Sequence, residues 1–458
     1  MTPEIEMKAK EFIGLGYQHL LTFERPGGGF DWWGNGEPLV YLTAYGMQEF
    51  YDTSKVYDLD TRIIDRSREF LFGKQEADGA WSIPGGTHGE RVEQLSGDMK
   101  KLGLTAYVLW SLCETGTAPS DERVQRGMTW LREHVGQCKD PYILGASALA
   151  LLTADPKDAL GVRLLDELAA MKVVDDKKAH WTSGTSVVSY GGGTAVDVET
   201  TAMVVLAMEK AGRHPNVVTQ ALDWIVSVKD ANGNWQATQS TILALKALIA
   251  ASPGSASQVQ GTAIVRVNGQ EAGRFDVTPE TSDVMRMVEA KDRVRLGAND
   301  IEIEWNGEGS LLYQVVGKYY LPWNGPRVEA QEPLSIEVSY DRTELAKNDK
   351  VKCTLKATNR QAGVARMVIL SVGVPPGFQV DIDDLGTLVE QKRLAKFEMT
   401  SREIILYVDT MKAGETQAFE YSLTARYPVK ARSEKSSIYE YYDPDKRGLA
   451  GPVEFSVR

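Results

Sequence analysis

A corner recurs in the first half of this chain: Gly, one residue, then an aromatic, at 28–30 (GGF), 79–81 (GAW) and 233–235 (GNW). After each comes a segment of small and apolar residues entered near Ser or Thr: LTAYGMQEF from Leu42, LTAYVLWSL from Leu104 and STILALKAL from Ser240. TTAMVVLAM from Thr200 and YILGASALALL from Tyr142 share that composition. Between them lie segments with apolar residues at helical spacing, roughly 4–23, 61–73, 122–135, 160–171 and 215–228. Internal repetition of this kind restricts the fold more than any single motif. A helix with one apolar stripe suits an outer layer facing water; one that is apolar nearly all round suits an inner layer. Glycine permits the tight reversal between layers, and the aromatic closes the core at that corner. Five outer–inner pairs predict an α/α toroid over residues 1–252.

Near residue 252 the pattern changes. TAIVRVNG, GRFDVT, NDIEIEW and SLLYQVVGKYYL, within 262–321, read as short strands. From 334 the alternation is longer and more regular, in LSIEVSYD, KVKCTLKATN, ARMVILSVGV, EIILYVD, QAFEYSLTARY and SSIYEYYDP. DDLGTLVEQKRL (383–394) is the one helix-like insertion there. The fold class expected is multidomain α+β: the toroid, a small β module over 253–325, and a C-terminal β-sandwich over 326–458.

Composition removes several functions. The chain has 458 residues and a net charge of −12, which disfavours nucleic acid, whose binding needs clustered Lys and Arg. No apolar run approaches membrane-spanning length. The three cysteines, Cys113, Cys138 and Cys353, lack CxxC spacing and form neither a disulfide framework nor a metal site. Cys113 reads as a small buried hydrophobe and Cys138, beside Lys139, as a surface thiol without a role. His19, His134, His180 and His214 need no chemistry in their contexts, and Trp32 and Trp33 suit corner packing. Asp197 and Glu199, close to the predicted start of an inner helix, suit a capping role. No cofactor is implied.

Two families have comparable helical domains. The Gln-x-x-x-Gly-x-Trp pattern resembles the terpenoid cyclases, and DIDD at 381–384 resembles the acid motif of squalene–hopene cyclases. That acid would have to act inside the toroid, whereas DIDD lies in the β-rich part, so this reading lacks its catalyst. The order of toroid, β module and sandwich resembles the C-terminal region of the alpha-2-macroglobulin and complement thioester proteins. The stretches that carry the resemblance are TPEIEMKAKEFIGLGYQHLL (2–21), VDVETTAMVVLAM (196–208), WQATQSTILALKAL (235–248), EGSLLYQVVGKYYLP (308–322), GFQVDIDDL (377–385), EIILYVD (403–409) and IYEYYDPD (438–445). The resemblance implies a thioester domain, the returning half of a CUB-type module and a receptor-binding domain. DIDD is then an acidic helix start favoured by the helix dipole.

The family's reactive Cys-Gly-Glu-Gln occurs nowhere in this sequence. Five helix pairs stand where family toroids have six. The expectation is therefore a C-terminal fragment of a longer protein, with a paralogue lacking the thioester as the weaker reading. For the parent the resemblance implies an extracellular or periplasmic, broad-spectrum protease trap that captures target proteases covalently; few cysteines suggest a bacterial member. The alternative is a complement-like opsonin acylating hydroxyls or amines on surfaces. The fragment itself is expected to be no enzyme. Two receptor-contacting lysines of animal macroglobulins fall on Ile382 and Gly386 here, which argues against that receptor contact; Lys392, Arg393 and Lys396 read as a solvated face. His88 stands between DGAW and LTAY, where complement relatives that transfer to hydroxyls carry a histidine, and is the candidate transacylation residue.

Overall fold

A computed structural model describes residues 3–458 except 33, 83–96, 184–191, 231–232, 252–258, 283, 285, 310, 312, 320–331 and 442. The chain divides into two compact units, Met1–Gly73 with Lys246–Lys318, and Lys74–Leu245 with Tyr319–Arg458.

The first unit holds helices α1 (Pro3–Leu21), α2 (Val40–Ser54) and α3 (Arg62–Gly73). It also takes the second half of α10 (Thr238–Ala251) and strands β3 (Gln260–Val267), β4 (Gln270–Val277) and β5 (Ile301–Glu308). Helix α2 buries residues on all sides, from Val40 and Tyr41 through Ala44 and Met47 to Phe50, as an inner-layer helix should. Helix α3 buries only the stripe Ile63, Ile64, Ser67, Leu71 and Phe72. Helix α1 leans on this pair through Tyr17, whose ring meets Phe50 edge-on at 6.1 Å. The three strands form an antiparallel sheet in the order β4-β3-β5. The described part of SLLYQVVGKYYL does not form the expected strand: residues 311 and 313–319 follow no ladder, and Tyr313 and Tyr319 are exposed. Alternation alone does not make a strand; that takes a paired backbone ladder, which the described residues of this stretch do not form.

The second unit begins with α4 (Gly97–Glu114), α5 (Glu122–His134), α6 (Pro141–Ala154), α7 (Ala159–Met171), α8 (Gly193–Ala211), α9 (Pro215–Ser227) and the first half of α10. The inner helices α4, α6 and α8 pack side by side, and α5, α7 and α9 lie against them. Close approach explains the small residues: a Cβ on Gly145 of α6 would stand 3.1 Å from Val204 of α8. Eleven consecutive residues of α6, Tyr142 to Leu152, are buried. A hairpin of β1 (Val173–Asp175) and β2 (Lys178–His180), turned through left-handed Asp176 and Lys177, lies between α7 and α8. Helix α8 starts well before the expected Thr200, so Asp197 and Glu199 sit inside it rather than at its cap.

The rest of this unit is a sandwich. Its strands are β6 (Leu334–Tyr340), β7 (Glu344–Leu345), β8 (Lys350–Asn359), β9 (Ala365–Gly373), β10 (Phe378–Val380), β11 (Lys396–Met399), β12 (Glu403–Met411), β13 (Thr416–Ala425), β14 (Val429–Arg432), β15 (Ser436–Glu440), β16 (Asp443–Ala450) and β17 (Glu454–Val457). One sheet runs β10-β13-β8-β6 and the other β11-β12-β9-β15-β16; a small third sheet runs β14-β17-β7. Inward residues such as Leu355, Phe419 and Tyr421 meet Leu370, Leu406 and Ile438 from the facing sheet in one core. Helix α11 (Ile382–Glu390) links β10 to β11 where the helix-like insertion was expected. SSIYEYYDP is not one strand: it folds into the β15–β16 hairpin, with Glu440 opposite Asp443.

Candidate functional site

The corner at 75–82 shows what its residue types are for. Gly79 adopts φ +96, and an added Cβ would stand 2.7 Å from the carbonyl oxygen of Arg126 on α5. Only glycine meets both conditions. Gln75 Nε2 donates to the carbonyls of Gly79 and Arg123, each at 2.8 Å, while its Oε1 accepts from Arg126 Nη2 at 2.9 Å. The glutamine therefore stitches the corner to the outer helix. Trp81 is fully buried, and its backbone N–H donates to Thr105 Oγ1 of α4 at 3.0 Å.

That last bond recurs, and sequence reasoning missed it. Phe30 donates to Thr43 Oγ1 (3.0 Å), Trp181 to Thr201 (3.2 Å) and Trp235 to Thr241 (3.1 Å), each Thr on the inner helix that follows. The indole N–H groups of Trp181 and Trp235 close the other side, donating to the carbonyls of Leu168 and Ile225 on the preceding outer helices at 2.7 Å. Helix α6 lacks the corner and starts instead from Asp140, whose Oδ1 accepts from the N–H groups of Tyr142 and Ile143. The signal was visible as the Thr of LTAY, ETTA and QSTI.

His88 lies outside the described residues, in the segment leaving this corner. Its described flanks carry Lys101, whose Nζ sits 2.6 Å from Glu76 and 2.7 Å from Asp78. The other histidines are accounted for by packing. His19 meets Phe23 edge-on, His134 stacks on Trp130 at 4.0 Å and His180 on Trp224 at 4.5 Å. Burial lowers the His180 pKa. His214 Nε2 lies 2.8 Å from Asp166. Trp32 is partly buried, and Trp33 lies outside the described residues.

The cysteine expectations need correcting. Cys138 is buried, not a surface thiol, with Sγ 3.9 Å from the Asp140 carbonyl, because the chain tucks it under the start of α6. Cys113 is only partly buried on α4, although burial still pushes its thiol up to about 12. Neither is an activated nucleophile. Among the described residues no His, Cys, Asp and Glu group could hold a metal ion, and no helix is long and apolar enough to cross a membrane.

The DIDD carboxylates are structural. Asp383 and Asp384 occupy the first turn of α11, and Asp384 Oδ2 accepts from Ser422 N–H at 2.8 Å. Ile382 is exposed there, and nothing lies within 4 Å of where a Gly386 Cβ would be. Lys392 and Arg393 are exposed; Arg393 lies over the Phe419 ring at 5.5 Å, and Lys396 pairs with Glu398 at 2.6 Å. Two carboxyls stand apart electrostatically. Burial pushes Asp197 up to about 6, against a backbone hydrogen bond from Ser183. Burial pushes Glu49 up to about 7, opposed by a Tyr45 hydrogen bond and Lys246 and reinforced by Asp52. Lys246 Nζ lies 2.7 Å from Asp52 and 3.1 Å from Gln48. Among the described residues, Ser183 meets Asp197, and Tyr45, Lys246 and Asp52 surround Glu49, an arrangement of packing and positioning.

Comparison with known proteins places these observations. The family model for the A-macroglobulin TED domain matches residues 1–250, and that for the A-macroglobulin receptor binding domain matches 363–450. Thioester-containing protein 1 allele R1 of Anopheles gambiae is 23% identical over 452 residues, 96% of this chain and 32% of that protein. Complement C3 of Oncorhynchus mykiss is 23% identical over 462 residues, 95% of this chain and 27% of that protein. The chain thus spans about a third of the length of the curated relatives it matches. Native alpha-2-macroglobulin from Escherichia coli, solved from domain MG7 to the C-terminus, superposes with a TM-score of 0.67 at 16% identity, covering 99% of this chain and 68% of that one. Salmonella alpha-2-macroglobulin reacted with methylamine gives 0.67 at 15% identity, covering 100% of this chain and 28% of that one.

Proposed function

The chain belongs to the A-macroglobulin family of alpha-2-macroglobulins and complement thioester proteins and corresponds to their C-terminal region; from that premise we propose that it serves a broad-spectrum protease trap. In this reading a thioester outside the chain acylates a protease, and the chain itself contributes no catalyst. Its parts are a helical thioester-type domain over 1–252, a CUB-type β module over 253–325 and a receptor-binding-type sandwich over 326–458, working outside the cell or in a periplasm. The observation that carries the reading is the near-complete correspondence of the chain, helices and sandwich together, with two bacterial alpha-2-macroglobulins.

The test uses the native polypeptide purified from its source and incubated with trypsin. Cleavage of a large protein substrate should fall while cleavage of a small peptide substrate persists, and prior methylamine should abolish the protection. Equal loss of both cleavages, or none of either, would rule the trap out.

His88 supports a second reading, acylation of surface hydroxyls. A neutral imidazole there attacks the thioester carbonyl, the C–S bond breaks, and the thiolate leaves an acyl-imidazole. The thiolate then takes the proton of an incoming hydroxyl, whose oxygen displaces the imidazole to give an ester and a free thiol. In the native polypeptide, His88→Asn should shift incorporation from glycerol to methylamine; an unchanged ratio excludes the role.

A further inference from the structure

The two outer faces of the sandwich differ in chemistry. On the four-stranded sheet the outward positions carry Glu337, Ser339, Lys352, Thr354, Lys356 and Glu420, an ordinary solvated face. On the five-stranded sheet the outward positions are largely apolar. Its strands align Lys396, Tyr407, Ile369, Tyr439 and Arg447 in one row. The next row reads Glu398, Ile405, Ser371, Ser437 and Leu449. The core between the sheets takes the alternate residues, such as Val368, Leu370, Leu406 and Ile438. Tyr407, Tyr439 and Ile405 are partly exposed, and Leu449 is 37% exposed.

Polar groups of both signs rim this strip. Lys396 Nζ lies 2.6 Å from Glu398 and 5.8 Å from the centre of the Tyr407 ring. Tyr407 Oη donates to Glu398 at 3.1 Å, and Ser371 Oγ donates to Glu403. Arg447 closes the far end of the row, opposite Tyr439. Two cations thus stand against two carboxylates, and the rim is close to neutral.

That combination suits a sugar chain. A pyranose ring has an apolar C–H face that packs on tyrosine, and edge hydroxyls that need donors and acceptors together. Tyr407 and Tyr439 stand two strand spacings apart, about 10 Å, which is close to the span of two linked rings. A stable protein partner would cover about 800 Å² on its side, more than a strip two rows wide offers. The chain's net charge of −12 disfavours an anionic polymer. We infer that this face binds a neutral β-linked oligosaccharide, with Tyr407 and Tyr439 as the floor and the rim holding the hydroxyls. A β-linked chain runs extended and flat along such a floor, whereas an α-linked one coils away from it. The inference rests on the sandwich and is independent of protease capture.

Isothermal titration of the whole chain with chitohexaose, and with maltohexaose as the coiled control, tests it. Chitohexaose should bind, and maltohexaose should bind about tenfold more weakly or not at all. Tyr407→Ala and Tyr439→Ala should each weaken chitohexaose binding about tenfold, while Tyr439→Phe, which keeps the ring, should leave it within about twofold. Ser437→Arg fills the floor without removing a packed ring and should also weaken binding. Thr354→Ala, on the other sheet, should change nothing. Melting curves of each variant separate lost contact from lost fold. No binding of chitohexaose at millimolar concentration overturns the proposal, as does equal binding of the two sugars. Unchanged affinity in Ser437→Arg and in the folded alanine variants overturns it too. So does a dimer of the unaltered chain that the same variants dissolve without any sugar binding, which would make the face a contact between copies.

Discussion

The corner threonines tie the repeat together one side chain at a time. Thr105 Oγ1 receives the N–H of Trp81 inside the core, so removing the hydroxyl strands a buried donor. Thr105→Val should cost about 1–3 kcal/mol in chemical denaturation, and Thr105→Ser should recover most of it. Gly79→Ala should cost more than about 1 kcal/mol, because the residue is left-handed and its new methyl meets a backbone carbonyl that cannot turn aside. Gly73→Ala, with open space around it and no such backbone demand, is the control and should be neutral. Glu49 makes a pH prediction. Its carboxyl rises from 4.5 to about 7 on folding, so the folded chain holds the proton more tightly than the unfolded one. Stability from this group is full below pH 4.5 and lost as pH climbs through about 7. Glu49→Gln should flatten that decline and stabilise the chain by about 1 kcal/mol at pH 8, after discounting for solvent access; a decline as steep as before would assign it to other groups. The Gln, Gly and Trp of QEADGAW were legible as a corner because their roles are local. The partner of Trp81 was not, since it lies 24 residues away and is an ordinary Thr in an apolar run.

At the scale of elements, all ten helices of the alternating pattern were legible because burial on one face or on every face is written into residue periodicity. Boundaries were less so, and α8 shows why. GGGTAVDVET reads as a loop: three glycines, β-branched residues and no Ser, Thr, Asp or Asn placed to cap Gly193. The helix nonetheless begins at Gly193, where Asp443, from β16, lies against its first residues and Ala195, Val196 and Val198 are buried. Close packing against a residue 250 positions away leaves no local trace. The described residues 311 and 313–319 are the converse, a clear local pattern that forms no ladder. Helix α1 makes an element-level prediction, because Met7, Phe12 and Leu15 are exposed along it. The isolated chain should bind apolar dyes or self-associate through this face. Phe12→Glu with Leu15→Lys should reduce both without lowering the melting temperature; undiminished dye binding would place the adhesive surface elsewhere.

For the whole molecule, the order of parts says more than any one part. A repeat of paired helices could serve a cyclase, and a lone β-sandwich could serve many binding proteins; together, with DIDD placed in the sandwich, they left the cyclase without an acid inside its helices. The same order explains why a candidate site was harder to read than the fold. Packing leaves a periodic signature, whereas the reactive Cys-Gly-Glu-Gln that the resemblance implies is not among these 458 residues. The cysteines present are poor substitutes: Cys138 and Cys353 are buried, and burial drives the thiol of Cys113 up to about 12. An amine needs an activated acyl group to attack, and Cys-Gly-Glu-Gln, from which the resemblance implies one would form, does not occur in this sequence. The isolated chain treated with methylamine should therefore gain no mass and release no new thiol. Joined to an upstream segment that carries Cys-Gly-Glu-Gln, it should gain one amine and one titratable thiol together. A stoichiometric adduct on a glutamine of the isolated chain would show an acyl donor within these residues and overturn the division of labour proposed for it.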